Sequence, residues 1–382
     1  MDDTVLAFIE KHRNQSPAEL ALLLSKKPHL PKEFILNQVN GLQKAKQKLP
    51  FLVESEKFIY PSARAFSQAS SEKTGTYKAG IFNAKKILDL SGGMGMDSYF
   101  FAHHAKEVTY VDWNEELVKT ARTNFEALQA SNITCVNSKA EYFILQNENS
   151  YDLIYLDPDR RAAKEKAYKI DECEPNVAEL LPNIWEKTSY CLVKLSPMLD
   201  IQQALTQLPF CKEVHVVSVD NECKELLFLL ENGFEREATT HCVNIQKEST
   251  QHFEFNFEQE RAASNSLGEV ENYLYEPNAS ILKAGAFKTV GQQFNLTKLA
   301  TNTHLYTSTE LQQNYPGRII KVLEVSKPKK GLTQQANVVC RNFSMKPEQL
   351  KKKFKIKDGG TQFLYAFSLG DESKRFVLGE LV

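Results

Sequence analysis

A glycine-rich segment, residues 89–97 with the sequence DLSGGMGMD, has the residue types of a ligand-binding turn. It follows a short apolar run at 86–90 and precedes a predicted helix that begins near Asp97. Glycine allows a tight turn and a close approach of the backbone to a ligand. Free N–H groups at the start of a helix suit a carboxylate. The candidate ligand contacts in this segment are Asp89, Ser91, Gly92, Gly93, Gly95 and Asp97.

An acidic residue ends the next predicted strand, 107–112. Asp112 stands 17 residues after Gly95, where a carboxylate can accept hydrogen bonds from two ribose hydroxyls. Trp113 follows it and is a further candidate contact. After the third predicted strand, Ser138 is the candidate partner for an adenine base, with Asn137 and Glu141 as open alternatives.

This combination of strand, glycine turn, helix, strand and acid is used to bind both S-adenosylmethionine (SAM) and NAD. From Gly93 the sequence reads GMGMDS, which lacks the closing Gly or Ala of the NAD fingerprint. The methionine carboxylate of SAM would fit the turn. We therefore expect SAM as the cofactor, and keep an NAD-linked oxidoreductase as an alternative.

The fourth predicted strand, 152–157, ends in the sequence DPDRR at 157–161. Open α/β sheets bind substrates at this edge. Asp157 is expected to contact the cofactor and to orient the acceptor or accept its proton, so that Asp157, Pro158 and Arg160 are the catalytic candidates. Arginine can stack on a base or hold a phosphate with two hydrogen bonds, or it can simply pair with a nearby acid. The substrate-binding candidates are Lys78, Arg160, Arg161 and Lys194.

The elements that must hold these residues alternate between short strands and longer helices from residue 86 onward. That pattern predicts an α/β, Rossmann-like fold with a parallel sheet. The last two predicted strands, 213–219 and 225–231, are too close for a crossover helix and should form an antiparallel hairpin. A further strand is predicted at 251–258, and the small polar residues 260–269 read as a linker.

The flanking segments differ from this central part. A capping box at Ser16 and Glu19 and a second helix start at Pro31 predict an N-terminal helical region. Mixed helix and strand patterns predict an α+β domain at the other end. We expect three segments: 1–60 helical, 61–260 binding SAM, and 270–382 α+β.

The charge distribution points to a polyanionic partner. Residues 271–382 carry 17 Lys/Arg and 9 Asp/Glu, a net charge of +8, whereas the whole chain has −1. The seven cysteines form no CxxC pair, which predicts reduced thiols in the cytoplasm and argues against a structural zinc site, and no metal is expected. Neither a secretion signal nor a membrane span is expected.

Several motifs lie along the chain: QASSE at 68–72, YK at 77–78, DLSGGMGMD, DPDRR, VKLSP at 193–197, Tyr273 with Glu276-Pro277, Asn342-Phe343 and KDGG at 357–360. Together they resemble one bacterial family, the class I SAM-dependent methyltransferases with a C-terminal THUMP-like domain. The resemblance covers most of residues 60–382. The resemblance implies the class I methyltransferase fold, whose parallel sheet ends in a hairpin, and, because THUMP domains belong to tRNA-modifying enzymes, an RNA substrate such as tRNA or rRNA. A SAM-binding, RNA-interacting protein without catalysis is the alternative. In nucleic-acid methyltransferases Asp-Pro at the end of strand four is followed by Pro and an aromatic residue, whereas in this chain it is followed by the DRR of the DPDRR motif.

Overall fold

The computed structural model describes residues 3–55, 57–160, 170 and 173–382. The chain forms two compact units, of which the first contains Met1–Cys211 and Leu227–Glu235 and the second Lys212–Leu226 and Arg236–Val382. The division into three segments stays a prediction. Across the described ranges, no helix is both long and apolar enough to cross a membrane.

Helices open the first unit. The predicted capping box is confirmed, since the Ser16 Oγ accepts the Glu19 N–H and the Glu19 carboxylate accepts the Ser16 N–H. Leu20, Ile35 and Val39 pack in a small core between these helices. The helices are α1 (Asp3–His12), α2 (Pro17–Ser25), α3 (Lys32–Lys48), a 3-10 helix (Pro50–Glu54), α4 (Ala63–Gln68) and α5 (Glu72–Ala79).

A parallel sheet with the strand order β7–β4–β1–β2–β3 is the centre of the first unit. The predicted α/β fold is confirmed. Because parallel strands end at a common edge, the glycine turn after β1, Asp112 at the end of β2 and Asp157 after β4 lie along that edge. The elements are β1 (Lys86–Asp89), α6 (Met96–Ala102), β2 (Glu107–Asp112), α7 (Glu115–Ala127), β3 (Ile133–Asn137), α8 (Ala140–Gln146), β4 (Leu153–Leu156), β5 (Asp159–Arg160), β6 (Cys173–Glu174), α9 (Val177–Trp185), β7 (Tyr190–Leu195) and α10 (Ile201–Gln207).

The predicted terminal hairpin is also present. Strands β8 (Cys211–Val219) and β9 (Glu222–Glu231) are neighbours in the sheet. Only Asp220 and Asn221 join them, both with positive φ (49° and 64°), the conformation of a two-residue hairpin turn. The connection is shorter than the five residues predicted, because β9 begins at Glu222.

The second unit contains a seven-stranded sheet with the order β13–β14–β12–β15–β18–β17–β16. Separately, β10 runs parallel to β8 and antiparallel to β11. The elements are β10 (Thr239–Ile245), β11 (Thr250–Phe255), α11 (Phe257–Ala262), β12 (Tyr273–Pro277), α12 (Ala279–Ala284), α13 (Thr289–Gln293), β13 (Thr297–Ala300), β14 (Thr303–Ser308), β15 (Gly317–Ser326), β16 (Asn337–Arg341), α14 (Pro347–Phe354), β17 (Gln362–Ser368) and β18 (Lys374–Leu381).

The strand predicted at 251–258 was too long at its C-terminal end, and the predicted linker begins too early. Strand β11 ends at Phe255, and α11 continues to Ala262. Asn256 causes the change, because its side chain accepts the Gln259 N–H while the Gln259 side chain accepts the Asn256 N–H. This capping box starts a helix where alternation of apolar and polar residues alone indicated a strand.

A buried carboxylate organises part of the seven-stranded sheet. Only 2% of the Glu276 side chain is exposed, and it accepts hydrogen bonds from the Tyr365 hydroxyl (2.8 Å) and the Arg318 guanidinium (3.1 Å). Arg341 contacts its other oxygen. A buried charge is tolerated only when it is paired and hydrogen-bonded in this way.

Replacing Glu276→Ala is expected to destabilise the protein by about 3 kcal/mol, the lower end of the range for breaking a buried pair, since both arginines also reach water. Circular dichroism during urea unfolding measures the change. The exposed Glu310→Ala serves as the control. An unchanged urea midpoint in Glu276→Ala would show that this cluster contributes no net stability.

Candidate active site

The glycine turn at the end of β1 is fixed by both conformation and packing. Gly93 and Gly95 have positive φ values of 53° and 87°, which disfavour other residues. A Cβ on Gly92 would lie 2.1 Å from the Tyr110 ring, and one on Gly95 would lie 2.5 Å from the Phe125 ring. The turn therefore lies close against β2 and α7, with no room for larger side chains at these two positions.

Asp112 connects the turn to the end of β2. One carboxylate oxygen accepts the Gly93 N–H at 2.8 Å, and the other accepts the Asn114 N–H at 2.8 Å. Burial raises the pKa of Asp112, and these two hydrogen bonds oppose that rise. Each oxygen keeps lone-pair capacity for a further donor.

Asp89 lies beneath the turn. It is 1% exposed, and its carboxylate accepts the Ser91 N–H at 3.0 Å and the Ser98 hydroxyl at 2.6 Å. Burial raises the pKa of Asp89 to about 7, against the hydrogen bonds from Ser98 and Ser91. Asp89 thus joins the turn at Ser91 to α6 at Ser98, and its predicted contact with the cofactor stays a prediction.

A buried ion pair links α5 to the start of α6. The Lys78 ammonium, 1% exposed, donates to an Asp97 oxygen at 2.8 Å and to the Ser70 hydroxyl at 2.8 Å. The Tyr155 hydroxyl on β4 donates to the other Asp97 oxygen at 2.7 Å. Burial alone would raise the pKa of Asp97, but the ammonium groups of Lys78 and Lys194 outweigh it and hold that pKa well below its usual range.

Lys78 was a candidate for binding substrate and Asp97 for binding the cofactor. In the structure their charges pair with each other, and the two binding roles stay predictions. Neither Tyr155 nor Ser70 was a candidate from the sequence. Ser70 lies within the QASSE motif and Tyr155 within the fourth strand, but only the fold shows that both contact this pair.

Asp157 follows β4 at the same edge of the sheet. Its N–H donates to the Ser91 hydroxyl at 2.6 Å, and its carboxylate contacts the Lys194 ammonium, which also lies 3.6 Å from Asp97. Burial raises the pKa of Asp157, Lys194 opposes the rise, and Asp97 adds to it. The side chain is still 31% exposed, so it is accessible from solvent.

The remaining candidates differ in exposure. Pro158 is buried, whereas the Trp113 side chain is 71% exposed beyond the end of β2. Ser138 is half-buried, and its N–H donates to the Asp112 carbonyl at 3.1 Å, which places it beside β2. The backbone of Arg160 pairs with β6, but the Arg160 side chain and the whole of Arg161 lie outside the described residues.

Three segments of the chain match known protein families. Residues 87–170 match a methyltransferase domain, residues 273–316 a ferredoxin-like domain and residues 318–380 a THUMP-like domain. A crystal structure of a candidate methyltransferase from Porphyromonas gingivalis W83 is similar over 99% of this chain and 98% of that one, with a TM-score of 0.89 and 29% identity.

The chain therefore has a class I methyltransferase fold followed by a C-terminal THUMP-like domain. Two curated relatives match shorter stretches of this chain. An uncharacterized RNA methyltransferase of Mycoplasma mobile is 31% identical over 81 residues, 21% of this chain and 22% of that protein. A 23S rRNA (uracil(747)-C(5))-methyltransferase of Pyrococcus horikoshii is 34% identical over 91 residues, 24% of this chain and 21% of that protein. The chain thus spans about a fifth of the length of these relatives.

Replacing Lys78→Met is expected to destabilise the methyltransferase domain by about 3–5 kcal/mol, because it leaves the Asp97 carboxylate buried without its main partner. Since the folded-state pKa of Asp97 is lowered, the stabilisation is present above the unfolded pKa of about 4 and is lost as pH falls below it. The free-energy difference between the two proteins should therefore shrink in acid.

Chemical unfolding at several pH values, followed by tryptophan fluorescence, measures this difference. The exposed Lys106→Met is the matched control and should unfold like the parent protein. A Lys78→Met effect that is small, or that grows as the solution is acidified, would contradict the role assigned to this ion pair.

Proposed function

We propose that this protein transfers a methyl group from SAM to RNA. The observation that carries the proposal is the position of Asp112. Its carboxylate holds the glycine turn through Gly93 and lies at the edge of the sheet to which Asp157 also belongs. A cofactor bound against the turn and Asp112 would therefore place its reactive group near the end of β4.

The cofactor roles follow from this geometry. The backbone around Gly93 and Gly95 would receive the methionine end of SAM. Asp112 keeps acceptor capacity for the two ribose hydroxyls, because each of its oxygens accepts one N–H and has lone-pair capacity for a further donor. Ser138 and Trp113 follow the ends of β3 and β2, where the adenine would lie. Gly92 and Ser91 shape the turn, and Asp89 and Asp97 support it from below.

Asp157 is the candidate to orient the acceptor. Methyl transfer to a nucleophile needs alignment of the reacting atoms above all, which a fixed side chain supplies. Lys194 and the Ser91 hydroxyl hold Asp157 at this edge. The Asp157-Pro158 pair, together with Arg160 and Arg161, would form the side facing the acceptor.

RNA is the acceptor class that the charge and the relatives favour. The net charge of +8 in residues 271–382 falls on the part of the chain that matches the ferredoxin-like and THUMP-like domains. Neutralising phosphates with lysine and arginine is the main source of affinity for nucleic acids. Both curated relatives are RNA methyltransferases by name.

A SAM-binding RNA module without catalysis is the second candidate. Its supporting observation is the ion pair between Lys194 and Asp157, which occupies the carboxylate that would otherwise accept a proton. Incubation with methyl-labelled SAM and fractionated tRNA, rRNA and protein separates the two. Label in one RNA fraction supports the enzyme, whereas SAM binding with no label in any RNA supports the second candidate.

Removing the proposed ribose contact, Asp112→Ala, is expected to weaken SAM binding by about 1.5–3 kcal/mol, the contribution of hydrogen bonds to a charged group. Isothermal titration calorimetry measures the affinity. Glu116→Ala, an exposed acid on the following helix, is the control. Equal affinity in Asp112→Ala and the parent would remove Asp112 from the cofactor site.

Replacing Asp157→Asn is expected to lower the rate of methyl transfer by about 100-fold or more if Asp157 accepts a proton during the reaction. SAM affinity should change much less, because the turn and Asp112 remain. Single-turnover label transfer with the RNA fraction identified above gives the rate. A variant that transfers label at the parental rate would assign Asp157 no catalytic part.

A further inference from the structure

Three side chains with metal-binding atoms converge in the second unit. Glu213 and His215 are two residues apart on β8 and so project from the same face of the sheet. His241 on β10 is the direct register partner of His215 in the parallel pair. One ligand atom from each of the three lies within 4.8 Å of the other two.

The separations fit a tetrahedral metal ion. The Glu213 Oε2 lies 3.1 Å from the His215 Nε2 and 3.8 Å from the His241 Nε2. Zinc bonds of about 2.0–2.1 Å at tetrahedral angles separate ligand atoms by about 3.4 Å. The two imidazole rings stack with centroids 4.7 Å apart and planes 17° apart, and the Nε2 atoms of both lie near the same Glu213 oxygen.

His241 supplies an independent observation. Its Nε2 is buried, and no hydrogen-bond partner reaches this atom within the described part of the chain. Its other ring nitrogen, Nδ1, lies 3.2 Å from the Glu254 carboxylate on β11. In metal sites a carboxylate on the far nitrogen commonly fixes the tautomer and directs the near nitrogen to the ion.

We propose that Glu213, His215 and His241 bind a divalent transition metal ion, with Zn²⁺ the best match. Two imidazoles and one carboxylate are a common zinc donor set that leaves a further position open, whereas Mg²⁺ and Ca²⁺ prefer oxygen ligands. The side chains of Glu213 and His241 are each 26% exposed, which gives an ion access from solvent. Cysteine spacing argued against a structural zinc site, but these ligands come from two strands and contain no cysteine.

Metal binding to the untagged chain tests the proposal. After treatment with a chelator and dialysis, titration calorimetry with ZnCl₂ is expected to show one ion per chain, and MgCl₂ is expected to show no binding. His241→Ala and Glu213→Gln should lose this binding. His104→Ala, which changes an exposed histidine in the first unit, should keep it.

Co²⁺ gives a second readout, because a tetrahedral site produces strong visible absorption bands that a loosely bound surface ion lacks. Glu254→Gln should keep these bands but weaken affinity about 10–100-fold, as expected for a residue that positions a ligand. Circular dichroism checks folding, and the near-isosteric Glu213→Gln decides the question if His241→Ala fails to fold. Substoichiometric zinc binding by the parent, or parental affinity in Glu213→Gln, would overturn the proposal.

Discussion

The ionised Asp97 carboxylate is the interaction on which the proposed active site depends. It lies in the first turn of α6, directly after the glycine turn, and binds Lys78 from α5 and Tyr155 from β4, with Lys194 from β7 nearby. Four elements are thus joined at one buried charge. The start of α6 cannot move relative to the sheet without leaving a charge unpaired in the interior, which is costly.

The same arrangement relates the cofactor side to the acceptor side. Lys194 contacts both Asp97 and Asp157, and the Ser91 hydroxyl accepts the N–H of Asp157 while Ser91 also binds Asp89. The end of β4 is therefore fixed to the glycine turn by direct hydrogen bonds. Alignment of the two reactants, which methyl transfer requires, would rest on these short connections.

The sequence predicted the sheet well because its strands are short apolar runs with clear boundaries, and because the turn glycines and Asp112 stand at strand ends. It did not predict which charges are buried. Lys78 reads as a surface lysine in any local pattern, and only the fold brings α5 against α6 and places Ser70 and Asp97 around its ammonium. Long-range ion pairs leave no signal in local spacing.

The second unit shows the same limit. Alternation along β8 places Glu213 and His215 on one face, but their approach to His241 depends on the parallel pairing with β10. Likewise, the strand predicted to run through residue 258 ends early because the Asn256 capping box starts a helix. Local hydrogen bonds at a cap outweigh a hydrophobic alternation that is only a few residues long.

The central claim is that the glycine turn and Asp112 form a SAM site, and thermal unfolding with SAM or NAD as the added ligand tests it most directly. A ligand at about 100 times its Kd stabilises the protein by about 2.7 kcal/mol, equivalent to a rise in Tm of about 5–10 °C for a unit of this size. The account predicts such a rise with SAM and none with NAD. A rise with NAD and no rise with SAM would contradict it.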